Sequence, residues 1–287
     1  MTTIALPVRS RLPRSRLRGN GLALAGTVIL VLVVAFCLVG PLLYPTDQVH
    51  TALDASRLSP GQQGHPLGTD DLGYDVLGRL MIAGRTSLAI GVLAGLLATA
   101  IGAIWGALAG YGGGWLDAVL MRIVDTGVAI PALFLLLVAA TLITPSVLVL
   151  ALVIGCVSWL VPARLMRAEA ATLRERDFVK AITVMGAGRL RVVFRHLLPN
   201  AVGTLVVAGT FQIADAILLV AYVSFLGLGV PPPATDWGAM LSKGITYTYD
   251  GAWWLILPPG IAIVLVVCAI NFVGDGLRDA LAARGRA

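Results

Sequence analysis

Apolar residues gather in six long runs, at approximately 21–44, 86–111, 119–144, 146–164, 200–226 and 253–274. The segments between them hold most of the charge and much of the proline. Strand-like alternation is absent from all six. A bilayer core about 30 Å thick needs about 20 helical residues at a rise of about 1.5 Å each. Each run is therefore read as a membrane-spanning helix, although the fourth is short. Helices and closed barrels alone satisfy their backbone in lipid, so the pattern predicts an all-α polytopic membrane protein of six transmembrane helices. Residues 1–20 form a tail, 21–274 the helical domain and 275–287 a second tail. Segments 45–85 and 227–252 lie on one side of the membrane, and the loop 165–199 lies on the other.

Composition agrees. Of 287 residues, 58% are hydrophobic and 13% charged, against about 25% charged in soluble domains. Mean hydropathy is +0.90. Intrinsic disorder and an ordinary cytosolic enzyme do not fit these values. Arg9, Arg11, Arg14, Arg16 and Arg18 resemble the basic start of a signal peptide, and Ala23-Leu24-Ala25 resembles a cleavage triplet. That triplet comes ahead of the main hydrophobic stretch instead of after it, which favours an uncleaved first helix. Placing both termini in the cytoplasm leaves only Arg57, Arg79, Arg85 and Lys243 of the 21 basic residues outside it. Such a bias sets topology. The net charge of +6 is then a topology signal, and nucleic acid is not an expected partner.

Catalytic chemistry is hard to find. Cys37, Cys156 and Cys268 each sit inside an apolar run, and His50, His65 and His196 are scattered without metal-ligand spacing. A phosphate-binding loop needs glycines followed by Lys-Ser or Lys-Thr. The two lysines, Lys180 and Lys243, do not fit one. Glycines at 91 and 95, then at 102, 106 and 110, stripe one face of the second span. Small residues four apart allow a neighbouring helix to approach closely. Consecutive prolines at 231–233 end the fifth span. Beyond them, Trp237, Trp253, Trp254, Tyr247 and Tyr249 suit an interfacial belt or a docking surface for an extracytoplasmic partner.

The loop between spans four and five is the most informative stretch. Thr172 and Glu175 have capping-box spacing. Phe178, Ala181, Ile182 and Met185 follow helical spacing, Gly186-Ala187-Gly188 interrupts it, and Leu190, Val193, Phe194 and Leu197 repeat it before Pro199. Arg174, Arg176, Lys180, Arg191 and Arg195 take the opposite faces. A helix-turn-helix reading DNA, an amphipathic element on anionic membrane lipid and a short helix inserted into a cytosolic partner all share this pattern. The last suits its rigid links into two spans best.

Within the spans, charged groups cost about 2.5–3.5 kcal/mol at the bilayer centre and usually face a cavity or a partner. Asp215 with Gln212 is the leading pathway or subunit-interface candidate, followed by Asp125, for which Arg122 offers a local ion-pair partner. Asn271 and Asp275 lie near the inner end of the last span.

Several motifs in order resemble the inner-membrane permease subunits of binding-protein-dependent ABC importers, in the dipeptide/oligopeptide/nickel group and of the C type. They are His65-Pro66-Leu67-Gly68-Thr69-Asp70-Asp71-Leu72-Gly73, Ser224-Phe225-Leu226-Gly227-Leu228-Gly229, Asp236-Trp237-Gly238-Ala239-Met240-Leu241, and Gly274-Asp275-Gly276-Leu277-Arg278-Asp279-Ala280-Leu281 following Asn271. The 4–5 loop resembles that family's EAA motif, with Ala181, Gly186, Leu198 and Pro199 in register. Lys180 stands where the family has glutamate, Ile182 where it has alanine and His196 where it has isoleucine; Tyr74 and Ala282-Ala283 also depart from it. The resemblance implies alternating access in a bacterial inner membrane, with no enzyme activity, cofactor or metal in this chain. It implies a second homologous permease subunit, two ATP-binding subunits holding ATP and Mg, and an extracytoplasmic solute-binding protein. Phe178, Lys180, Ala181, Ile182, Met185, Gly186, Ala187, Gly188 and Pro199 would then couple to the ATPase. Peptides are the expected cargo, with nickel or another small solute as the alternative. A stand-alone secondary transporter or a scaffold without transport are rival classes, and no internal repeat supports the former.

Overall fold

The computed structural model describes residues 21–284; the arginine-rich tail and residues 285–287 lie outside the described residues. Helix α1 runs Gly21–Leu43 and α2 runs Val76–Gly112. Then come α3 (Gly114–Val128), α4 (Ala132–Leu142), α5 (Val147–Ser158) and α6 (Leu160–Arg174). The cytoplasm-assigned loop holds α7 (Asp177–Val184), α8 (Arg189–Val192), a π-turn over Val193–Leu197 and α9 (Leu198–Asn200). Helices α10 (Val202–Val223), α11 (Trp237–Thr246) and α12 (Leu257–Arg284) complete the chain. The fold is all-α, with one isolated bridge, Thr69 to Asp75, among the described residues. Four helices are long and apolar enough to cross a membrane, or up to six spans if each of two bent pairs counts as one.

The bent pairs correct the uniform helices expected for runs three and four. Helices α3 and α4 meet at 79°, and α5 and α6 at 47°. Proline accounts for both. Pro131 precedes α4 and disfavours helical backbone in the residue before it. Pro162, in the first turn of α6, removes a donor to the Ser158 carbonyl and crowds that oxygen. Other limits shift as well. The segment expected to be an outer loop through residue 85 becomes helix at Val76, and α12 continues ten residues past 274. Helix α6 likewise runs ten residues past 164. Thr172 does not start a helix: its hydroxyl donates to the Ala168 carbonyl at 3.1 Å, inside the last turns of α6.

Helix α2, of 37 residues, is about 55 Å long at the standard rise, and three apolar clusters are strung along it. Val76, Leu80 and Ala83 join Ile217, Trp237 and Val266. Ile90 and Ala94 join Leu136, Ile154 and Val220. Ala103 and Ala107 join Met166, Val179, Val192 and Leu197. The glycine stripe divides between two partners. Gly91 and Gly95 abut Ile217 and Ile213 of α10, whereas Gly102, Gly106 and Gly110 meet the backbone of α6. A methyl at Gly106 would collide with the Ala163 carbonyl and lie 2.7 Å from the Arg167 nitrogen. Backbone cannot step aside as a side-chain tip can.

Gly106→Ala is therefore expected to destabilise the purified protein by roughly 1–3 kcal/mol. Gly209→Ala, whose methyl would find its nearest neighbour 3.6 Å away, should leave the melting temperature in detergent within about a degree or two. Equal melting curves for the two variants would contradict the packing described.

Candidate translocation groove, coupling element and outer cap

A cavity of about 400 Å³ opens where the two proline breaks face α10. Pro131, Ser158, Leu160, Gln212, Asp215 and Tyr222 are among its lining residues. Asp215 makes no ion pair or hydrogen bond among the described residues. Gln212, one turn earlier on α10, is only 6% exposed and its amide likewise has no partner. Ser158 Oγ is buried and unpartnered on the opposite wall. Polar capacity thus converges on an otherwise apolar groove at membrane depth.

The two acids of α3 are occupied. Asp125 does not pair with Arg122; its carboxylate takes a 2.6 Å hydrogen bond from Arg164 of α6. Asp117, two turns earlier, accepts both an Nε and an Nη2 bond from Arg167, at 2.8 and 2.6 Å. These two pairs latch α3 to α6. Asp125 is therefore absent from the groove wall, and so is Asn271, which sits half-buried on α12. Sequence spacing pointed to Arg122 because it is local, while the actual partner lies 39 residues away.

The loop element is a wedge. Helix α7 ends at Val184, and Gly186 turns the chain with φ +83°, in the left-handed region where glycine carries no steric cost. Helix α8 then starts after Gly188 and passes through the π-turn beyond Pro199. Val179, Val192, Val193 and Leu197 bury against Met166 and Ala170 of α6. The Tyr111 and Thr183 hydroxyls, 3.4 Å apart, tie α7 to the end of α2. Phe178, Ala181 and Met185 point outward, Ile182 and Ala187 are half-buried, and Val184, Leu190 and Phe194 extend the exposed apolar patch. Val184 is 88% exposed and lay off the expected stripe. A contiguous apolar patch of this kind marks an interaction surface. Lys180 reaches Glu175 at 3.2 Å with both side chains largely exposed, a pair worth about 0–1 kcal/mol.

The outer segments pack onto the first turns of α2. Asp75 caps the helix by accepting the Gly78 N–H at 2.7 Å, and its other oxygen contacts His65 Nδ1 at 2.7 Å and Tyr44 Oη at 3.0 Å. Arg79 is buried over the Tyr74 ring, 3.6 Å from Asp70. Trp237 and Trp254 are not belt residues. Both are buried, and their indole N–H groups donate to the Leu80 and Thr69 carbonyls at 3.0 and 3.2 Å. Trp253 and Tyr249 are the exposed members of that set. Asp236 caps α11 through the Ala239 N–H at 3.0 Å, and its second oxygen is buried beside the Ser224 hydroxyl. Burial pushes the Asp236 and Asp70 carboxyls above the ordinary carboxylate range, against the Ser224 hydroxyl and backbone N–H groups at Asp236, and backbone N–H groups and Arg79 at Asp70, which pull them down.

The fold defines a polytopic helical membrane protein with an exposed apolar wedge between α6 and α10 and a partly polar groove. The chain belongs to the family of binding-protein-dependent transport system inner membrane components, whose model matches residues 102–287. Residues 11–60 match the N-terminal transmembrane domain of oligopeptide transport permease C. A Brucella suis protein named as a peptide permease is 45% identical over 267 residues, covering 93% of this chain and 88% of its own. The oligopeptide transport system permease protein OppC of Escherichia coli is 37% identical over 275 residues, 95% of this chain and 90% of its own. The dipeptide transport system permease protein DppC of Bacillus subtilis is 35% identical over 266 residues, 93% and 83% respectively.

A folded carboxyl pKa above the unfolded one means that stability is lost as pH rises past the unfolded value. Asp236→Asn keeps the cap and removes the buried charge, so at neutral pH it should melt no lower than the parent. Asp236→Ala should cost about 1 kcal/mol. A clearly lower melting point for the asparagine variant would show that the charge itself stabilises the cap.

Proposed function

We propose that this chain is the C-type permease subunit of a peptide importer, forming half of the path and converting ATP-driven closure of partner subunits into a change of access. The observation that carries this reading is the wedge around Gly186, an apolar patch joined directly to α6 and α10, together with relatives named as peptide, oligopeptide and dipeptide permeases over nearly the whole chain. A second permease completes the path. Two ATP-binding subunits, which hold the ATP and Mg, receive the wedge. A solute-binding protein delivers peptide to the outer cap, and both termini lie in the cytoplasm.

In the wedge, Phe178, Ala181, Met185, Val184 and Leu190 supply the apolar contact with the ATPase. Gly186, Ala187 and Gly188 fix the angle between the two short helices, and Pro199 lies where the wedge rejoins α10. Ile182 faces partly inward, so it transmits more than it contacts. Lys180, already answered by Glu175, contributes little to holding the wedge together. The Asp215 and Gln212 wall lines the half-pathway. Alternating access needs partners whose affinity differs between the inward and outward states, and the subunits at the two ends of α2 provide that difference.

Affinity purification of the tagged chain in mild detergent should recover an ATPase, a second permease and a binding protein, with vanadate-sensitive ATP hydrolysis and peptide uptake after reconstitution. A chain recovered alone and stably folded would count against the importer. Gly186→Val forces a β-branched residue to positive φ, at a cost of about 1–2 kcal/mol or more. It should lower uptake and cargo-stimulated ATP hydrolysis together while leaving the chain in the membrane; wild-type rates in this variant would remove the wedge from the coupling path.

A further inference from the structure

The groove wall carries information about the cargo that goes beyond its being a peptide. The two acids of α3, Asp117 and Asp125, are paired with Arg167 and Arg164. Asp215 is not, and it opens into a cavity of about 400 Å³, within the range of about 300–1,000 Å³ typical of small-ligand sites. Beside it, one turn away on α10, Gln212 is only 6% exposed and its amide has no hydrogen-bond partner among the described residues. Two carboxylate oxygens and an amide oxygen offer the three acceptors that a primary ammonium with its three donors requires. This wall of an otherwise apolar groove therefore favours a cation.

We infer that Asp215, with Gln212, receives the free N-terminal ammonium of the peptide as it passes through the groove. The inference rests on the peptide reading and deepens it. The permeating ammonium then meets a compensating charge in the groove, and Asp215 acts as a binding residue of the path.

The test uses the complete complex, reconstituted in liposomes with its own binding protein, and two lysine-free tripeptides that differ only by N-acetylation. The parent and Asp215→Asn are compared with the same binding protein, so that protein's own preference cancels in the ratio. Free-amine uptake should fall at least about tenfold in the variant, the scale of one charge-assisted hydrogen bond. Acetyl-peptide uptake should be unchanged, with normal complex yield and normal ATP hydrolysis stimulated by loaded binding protein. Asp215→Glu should restore part of the loss. Equal loss for both peptides, no loss for either, or a complex that no longer retains the second permease would each overturn the assignment, the last by placing Asp215 at the subunit interface. If the parent complex moves neither peptide while hydrolysing ATP, the peptide reading itself fails, and the ammonium site fails with it.

Discussion

The close approach of α2 to α6 is the constraint on which the molecule depends. In lipid no hydrophobic force drives two apolar helices together, so association relies on packing and hydrogen bonds. Gly102, Gly106 and Gly110 bring the α2 surface onto the α6 backbone. That contact fixes α6, α6 carries the loop element on its end, and the two Arg–Asp pairs attach α3 to α6 in turn. The outer half of the same stripe seats α10 through Ile213 and Ile217. One helix face thus holds the two halves of the chain in register.

The proline breaks have the opposite character. Irregular backbone at membrane depth survives only where protein or a cavity surrounds it, and both breaks border the same groove. The treatment of charge follows this division. Where α3 meets α6, each carboxylate has an arginine; where the breaks open, Asp215 is left without one. The paired acids hold α3 to α6, and Asp215 stays open to the groove.

Much of this was legible in the residues. Apolar runs long enough to span, glycines four apart and a left-handed glycine between two amphipathic stretches are local properties, and they translate directly into structure. What stayed hidden was non-local. Arg79 and Arg85 disguised the first turns of α2 as loop, since nothing in the sequence announces that Asp70 and the Tyr74 ring cover one while the Cys37 and Leu38 carbonyls accept from the other. Trp237 looked interfacial because its carbonyl partner, Leu80, lies 157 residues away. A single proline within a long apolar run barely lowers its apolar count, so the breaks that form the groove were not legible there, whereas Asp215 on its wall was.

The outer cap is built on the first turns of α2, and the loop wedge rests on its last turns through Ala103, Ala107 and Tyr111. No joint interrupts the 37 residues between them. A displacement of this rod at one end is also a displacement at the other, and linkage is symmetric in free energy. Whatever factor a cytoplasmic ligand applies to the affinity of the outer face, a ligand on the outer face must return to the cytoplasmic one. In the importer proposed above, the rod would make the protein a two-way reporter, with nucleotide affinity on one side of the membrane depending on what is bound on the other.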